Sequence, residues 1–190
     1  MKTEVLKKVL TDILGSLIAQ DKTIDNNTRP DDNHNVVKIE DTEEMLVIKR
    51  VCHDFAKALT ERNYESLDGR AEYHLYTVDH LIKLVKNNDE ENTIKILTDN
   101  KIKSKYEDCE FLSITLSENQ EEAEVVYNVK TCVISAEDKY FKELNKKNNK
   151  KNRIVRGTPF STAYTLLIKK EKGTWKVDNF EASEENIKME

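Results

Sequence analysis

Glu122-Ala123-Glu124-Val125-Val126-Tyr127-Asn128-Val129-Lys130-Thr131-Cys132-Val133 is the stretch that decides the architecture. Ala123, Val125, Tyr127, Val129, Thr131 and Val133 fall on every second position. A period of two marks a strand with one face buried, because successive side chains of an extended chain point to opposite sides. Upstream, Leu112, Ile114 and Leu116 alternate with Phe111, Ser113 and Thr115 before a Ser117-Glu118-Asn119-Gln120 turn. Downstream, Phe160, Thr162, Tyr164, Leu166 and Ile168 form a third such face. Lys170-Glu171-Lys172-Gly173 then turns into a short fourth strand, Thr174 to Phe180. Consecutive strands joined by turns predict an antiparallel sheet.

Before residue 100 the apolar period is that of a helix. Asp41 and Glu44 have the spacing of a capping box, and Ile48, Val51, Cys52, Phe55 and Leu59 mark one face through about residue 62. Asn63 ends this helix, and Tyr64 to Gly69 reads as a turn. Thr77 caps a second helix with Val78, Leu81, Ile82 and Val85 expected inward, stopping at Asn87-Asn88. A third, over about 89–98, places Ile94 and Leu97 inward. Helices followed by consecutive strands give the α+β class, with helices packed on an antiparallel sheet of about four strands. This domain occupies residues 42–190.

Two segments precede it. In residues 1–20, Val5, Leu6, Val9, Leu10, Ile13, Leu14, Leu17 and Ile18 recur at i, i+1, i+4, i+5, which predicts an amphipathic helix. Thr11, Asp12 and Ser16 interrupt the run and no small-residue cleavage site follows, so it is not read as a signal peptide. Residues 21–41 are polar, rich in Asp and Asn, and read as a linker. An isolated helix of this length is marginal in water unless its apolar face is covered. The expected cover is its own domain or a second copy. A groove on a different partner or a membrane surface is the alternative, the latter weakened by a polar face of mixed charge.

Composition excludes several classes. Of 190 residues, 37% are hydrophobic and 35% charged, so the core is modest and the surface highly charged. The net charge of −5 argues against a general nucleic-acid binder. No run approaches the roughly 18 apolar residues of a membrane span. Four glycines form neither a GxGxxG nor a Walker-A phosphate cradle. Cys52, Cys109 and Cys132 lack CxxC spacing and read as thiols in a reducing compartment, with a Cys109–Cys132 disulfide as the alternative. The expected compartment is the cytoplasm for the sequence as written, or extracytoplasmic if the first Met replaces a removed export signal or anchor.

The end of the first long helix, Ala58-Leu59-Thr60-Glu61-Arg62-Asn63-Tyr64-Glu65-Ser66-Leu67, and the last hairpin, Lys172-Gly173-Thr174-Trp175-Lys176-Val177-Asp178-Asn179-Phe180, resemble the NTF2-like (cystatin-like) superfamily. The likeness covers about residues 42–183. It implies a sheet curled around the first helix into a cone whose mouth can hold a ligand. The superfamily includes isomerase-like and epoxide hydrolase-like enzymes, transport factors, exported proteins of Gram-positive bacteria and VirB8-like subunits of conjugation machines. Fold alone therefore assigns no activity. Abundant Lys and Asn also suit an AT-rich bacterial genome.

A cone pocket would draw on Asp178 as carboxylate, His80 as base, Tyr127 (with Tyr73 and Tyr76) as hydroxyl donor and Trp175 as a stacking surface. Each also has a plain structural role, in the core or on a strand face. His34 is expected in solvent and His53 on a helix flank. His74 and His80, six apart, do not share a helix face. No Cys, His and carboxylate cluster has ligand spacing, so no metal and no cofactor are expected, and no isomerase or hydrolase constellation maps onto the chain.

Two surfaces are candidates for partner contact. One is the N-terminal apolar face, Leu6, Leu10, Ile13 and Leu17. The other is the basic insertion at 137–157, with Lys146, Lys147, Lys150, Lys151 and Arg153. The insertion reads as a solvated loop, as a contact for an acidic partner, or as a nucleic-acid contact poor in interleaved aromatics. The function expected is that of a non-catalytic bacterial binding or assembly protein, a homodimer or bound to a protein partner, in a transfer or envelope-associated apparatus. The alternative is a small-molecule binder or enzyme of isomerase or hydrolase type.

Overall fold

A computed structural model describes residues 41–146 and 153–187. The elements run α1 (Glu43–Thr60), a 3-10 turn (Tyr73–Leu75), α2 (Val78–Lys86), α3 (Asp89–Asp99), β1 (Lys103–Leu116), β2 (Glu122–Ser135), α4 (Asp138–Leu144), β3 (Pro159–Glu171) and β4 (Thr174–Ile187). The four strands pair in sequence order, all antiparallel. This is the α+β class expected from the sequence. Bulges in the β1–β2 and β3–β4 ladders bend the sheet.

α1 is capped one residue later than its sequence suggests. The Thr42 hydroxyl accepts from the Met45 N–H at 3.2 Å, while Glu44 turns away to the last hairpin. Glu43 and Glu44 face the positive end of the helix dipole. Ile48, Cys52, Phe55, Ala56 and Leu59 are buried, and the helix lies on the inner face of the sheet.

That inner face is the one the period of two picked out. Ala123, Val125, Tyr127, Val129, Thr131 and Val133 are all buried, as are Phe160, Thr162, Tyr164, Leu166 and Ile168. Phe55 sits at the centre with no exposure, edge-on to Tyr76 at 5.4 Å and to Phe180 at 5.2 Å. A second cluster, around Leu97, Ile102, Val133, Tyr140 and Phe160, closes the other end.

Three expectations are corrected. Val78, Ile82 and Val85 of α2 are 58%, 46% and 68% exposed, and His80, Leu81 and Leu84 face inward instead. In β1 a bulge between Phe111 and Ser113 breaks the alternation: Phe111, Ile114 and Leu116 pack on the core and Leu112 is exposed. β4 runs seven residues beyond Phe180, because Asn186 and Ile187 still pair with Thr162 and Ser161. The tight β3–β4 turn uses Lys172 and Gly173, both at positive φ (51° and 79°), as a two-residue hairpin turn requires.

Candidate functional site

The four pocket candidates occupy different settings. His80 and Asp178 meet at the start of α2. The His80 Nδ1 lies 2.8 Å from the Asp178 carbonyl oxygen. A carbonyl only accepts, so Nδ1 carries the proton. The imidazole stacks on Tyr76 with ring centres 4.2 Å apart. Burial lowers its pKa below the ordinary histidine value, more than the bond to Asp178 raises it. The Asp178 carboxylate accepts from the Thr77 hydroxyl at 3.0 Å and from Lys169 at 3.0 Å. Partial burial would raise its pKa, but these two donors outweigh it and hold the carboxyl below its usual range. Asp178 thus ties α2 to the sheet as an ionised, satisfied carboxylate, which is a poor proton acceptor.

Tyr127 and Trp175 are core residues. Tyr127 has no exposure, stacks on Phe111 at 5.5 Å, and its hydroxyl reaches the Cys52 carbonyl at 3.4 Å. Trp175 is 3% exposed; its indole N–H donates to Glu44 and the Lys170 ammonium lies 4.9 Å from its ring centre. Neither offers a free face to a ligand.

Sequence reasoning missed a buried polar network beside this core. Arg62, just past the end of α1, pairs with Glu72; both side chains are nearly sealed, 4% and 6% exposed. Tyr73 donates to Asp89 at 3.2 Å. Burial pushes Glu72 and Asp89 up, against the pull of Arg62 on both and of Tyr73 on Asp89. No local pattern marks these residues, since Arg62 and Glu72 fall in polar loops and meet only in the fold. Arg62 also lines an internal cavity of about 30 Å³ with Thr60, Ser104, Thr162, Tyr140 and Tyr164, and its Nη1 is buried without a partner among the described residues. That volume holds one or two waters, far below the roughly 300–1,000 Å³ of a metabolite pocket.

The thiols do not pair. Cys52, Cys109 and Cys132 are free, and Cys132 lies opposite Lys105, four residues along β1 from Cys109. Burial pushes Cys52 up to about 12, which leaves it inert at neutral pH. Among the described residues no group of three or more His, Cys, Asp or Glu is placed to hold a metal ion, and no helix is long and apolar enough to cross a membrane.

Of the partner-contact candidates, Leu6, Leu10, Ile13, Leu17, Lys147, Lys150 and Lys151 lie outside the described residues, as does His34. Lys146 is exposed and pairs with Glu143, and Arg153 is exposed. The described ends of the insertion, 137–146 and 153–157, are tied to the domain. α4 buries Tyr140, Lys139 donates to the Asp99 carbonyl at 2.9 Å, and Arg156 donates to the Ala136 carbonyl at 2.8 Å. On the outward side of the sheet Leu112, Ile134 and Leu167 are 54%, 50% and 36% exposed.

No family model matches the chain, and no curated protein matches it. Among solved structures it is similar to a protein described as a calcium/calmodulin dependent protein kinase II association domain from Xanthomonas campestris. That match has 15% identity, covers 75% of this chain and 87% of that one, and has a TM-score of 0.39. It is also similar to the intermembrane space region of the chloroplast protein ARC6, at 12% identity over 63% of this chain and 90% of that one, with a TM-score of 0.32. Similarity of this degree assigns neither family nor activity, which leaves function to the side chains.

Proposed function

We propose that this chain is a non-catalytic NTF2-like binding domain that acts through protein–protein contacts. The observation that carries this reading is the filled interior: Phe55, Tyr127 and Trp175 occupy the space between helix and sheet where a ligand would sit. Chemistry on a small molecule needs a concave site with a reachable acid or base. Here Asp178 is engaged by Lys169 and Thr77, Tyr127 is sealed, the cavity at Arg62 suits water, and the recess of about 360 Å³ beside α4 lies open at the surface rather than enclosing a ligand.

Meanwhile Leu112 and Leu167 face away from the core on the sheet, in a chain of which 35% of residues are charged. Exposed aliphatic side chains on a sheet face suit the apolar centre of a wider interface with a polar rim, and a second copy of this chain is the simplest partner for one. A place in a bacterial transfer or envelope-associated apparatus is the finer version, supported by the sequence resemblance of the helix end and the last hairpin.

The test is light scattering on the full chain and on the Leu112→Glu/Leu167→Glu variant. A dimer that the variant converts to monomer supports the reading. A monomer at all concentrations removes the homodimer. A dimer that the variant leaves intact moves the interface off the sheet.

A further inference from the structure

Val78, Ile82 and Val85 stand at i, i+4, i+7 on the outward face of α2, and all three are largely exposed. Three β-branched aliphatic residues in one line on a nine-residue helix form an apolar ridge about 10 Å long. Nothing in the fold requires them there, since His80, Leu81 and Leu84 already provide the inward contacts.

The occupant follows from size and connectivity. Three such side chains offer on the order of 200–300 Å² of apolar surface. A stable complex between separate molecules buries about 800 Å² on each partner. The ridge is therefore too small to hold a second copy unaided, but not too small for a segment already attached to the domain.

Such a segment joins the domain at the start of α1. α1 begins at Glu43, and Glu44 binds Lys170 at 2.9 Å. The next residue, Glu171, accepts from the Val78 N–H at 3.0 Å. The first turns of α1 and α2 are thus both fastened to the β3–β4 hairpin, and the described chain begins at Asp41, two residues before α1. Residues 20–40 reach up to about 70 Å when extended, several times the length of α2.

The spacing also matches. Leu6, Leu10 and Ile13 stand at i, i+4, i+7, the spacing of Val78, Ile82 and Val85. Two helices whose i, i+4 rows carry the apolar residues pack ridge into groove. A tether of this length gives a local concentration in the millimolar range, so a contact too weak to form between free molecules is populated within one chain. We propose that residues 5–18 dock in cis on Val78, Ile82 and Val85 of α2. This goes beyond the assembly reading and does not depend on it, because it needs no second molecule.

Amide hydrogen exchange by mass spectrometry on the full chain tests it, with Ile82→Asp and Leu10→Asp as variants. Ile82 is exposed and Leu10 precedes the domain, so β2 and β3 amides should stay as protected as in the wild type, which checks folding. The expected result is that amides of residues 5–18 exchange about tenfold slower in the wild type than in either variant, at a rate independent of protein concentration. Three results overturn the proposal: residues 5–18 unprotected in the wild type, protection that survives Ile82→Asp, or protection that grows with protein concentration and so reports a second copy. Light scattering on the same samples reads the oligomeric state separately, so a failure here is distinguishable from a failure of the assembly reading.

Discussion

The indole N–H of Trp175 donates to the Glu44 carboxylate, joining residues 131 apart in sequence. Lys170 reaches the same carboxylate at 2.9 Å and covers the indole ring. The first turn of α1 is thereby fastened to the last hairpin. Trp175 is the single tryptophan, so tryptophan emission, excited selectively over the tyrosines, reads this junction alone.

Replacing Glu44 with Ala should shift the Trp175 emission to the red and lower the melting temperature. Hydrogen bonds from Lys170 and then Trp175 hold the Glu44 pKa below its ordinary value of 4.5. A depressed carboxyl stabilises the fold above its unfolded pKa, and that contribution is lost as pH falls. The gap in melting temperature between wild type and Glu44→Ala should therefore narrow below about pH 4.5. A gap that stays constant down to pH 3 would show that Glu44 acts by packing alone.

Arg62 and Glu72 form a buried ion pair whose guanidinium also donates to the Leu59 carbonyl at 3.1 Å. Removing one member leaves a buried carboxylate uncompensated, and Arg62→Ala should cost about 3–5 kcal/mol. The double variant Arg62→Met/Glu72→Met should recover most of that loss, because no buried charge is left unpaired and only the Leu59 carbonyl loses a donor. Urea denaturation of the three proteins measures both steps. A double variant no more stable than Arg62→Ala would contradict this account of the pair.

Gly69 has no room for a side chain. A Cβ there would lie 2.6 Å from the Glu90 carbonyl oxygen in the first turn of α3. Gly69→Ala must push α3 away from the loop, with an expected cost of about 1–3 kcal/mol. Exchange protection in α3 should fall with it, while the paired strands β2 and β3 keep theirs.

His80 is held neutral by burial while its Nδ1 proton bonds the Asp178 carbonyl. Lys83 also disfavours the charged form, and Asp178 and Asp89 favour it more weakly than burial opposes it. With the folded pKa below 6.5, the unfolded chain binds the proton first as pH falls, so stability drops below pH 6.5. Asp89 works in the opposite sense, because a raised carboxyl pKa lowers stability as pH rises from 3.8. Comparison with His80→Asn cancels that background. The variant keeps an N–H donor and does not titrate, so its urea midpoint should change less between pH 7 and pH 5.5 than that of the wild type.

The sheet was legible because a period of two admits only one buried face. Every residue read inward on β2 and β3 is buried. The exceptions lie where a tertiary contact decides between two readings that the local pattern allows equally. In α2, apolar residues occupy both sides, at 78, 82 and 85 and at 81 and 84. The stacking of His80 on Tyr76 and its bond to Asp178 select the second side. In β1 one extra residue at the bulge turns Leu112 outward. Glu44 has the spacing of a capping residue, but its carboxylate is drawn to Trp175 and Lys170. Asp178 could be read as a strand carboxylate from its neighbours, while its engagement by Thr77, 101 residues away, could not.

Native mass spectrometry of the purified full chain tests the central claim most directly, since it weighs the assembly and any bound small molecule together. A filled interior and exposed leucines on the outer sheet face predict a multiple of the chain mass with no added ligand. A monomer that retains a metabolite of a few hundred daltons would contradict the account and return the interior to consideration as a binding site.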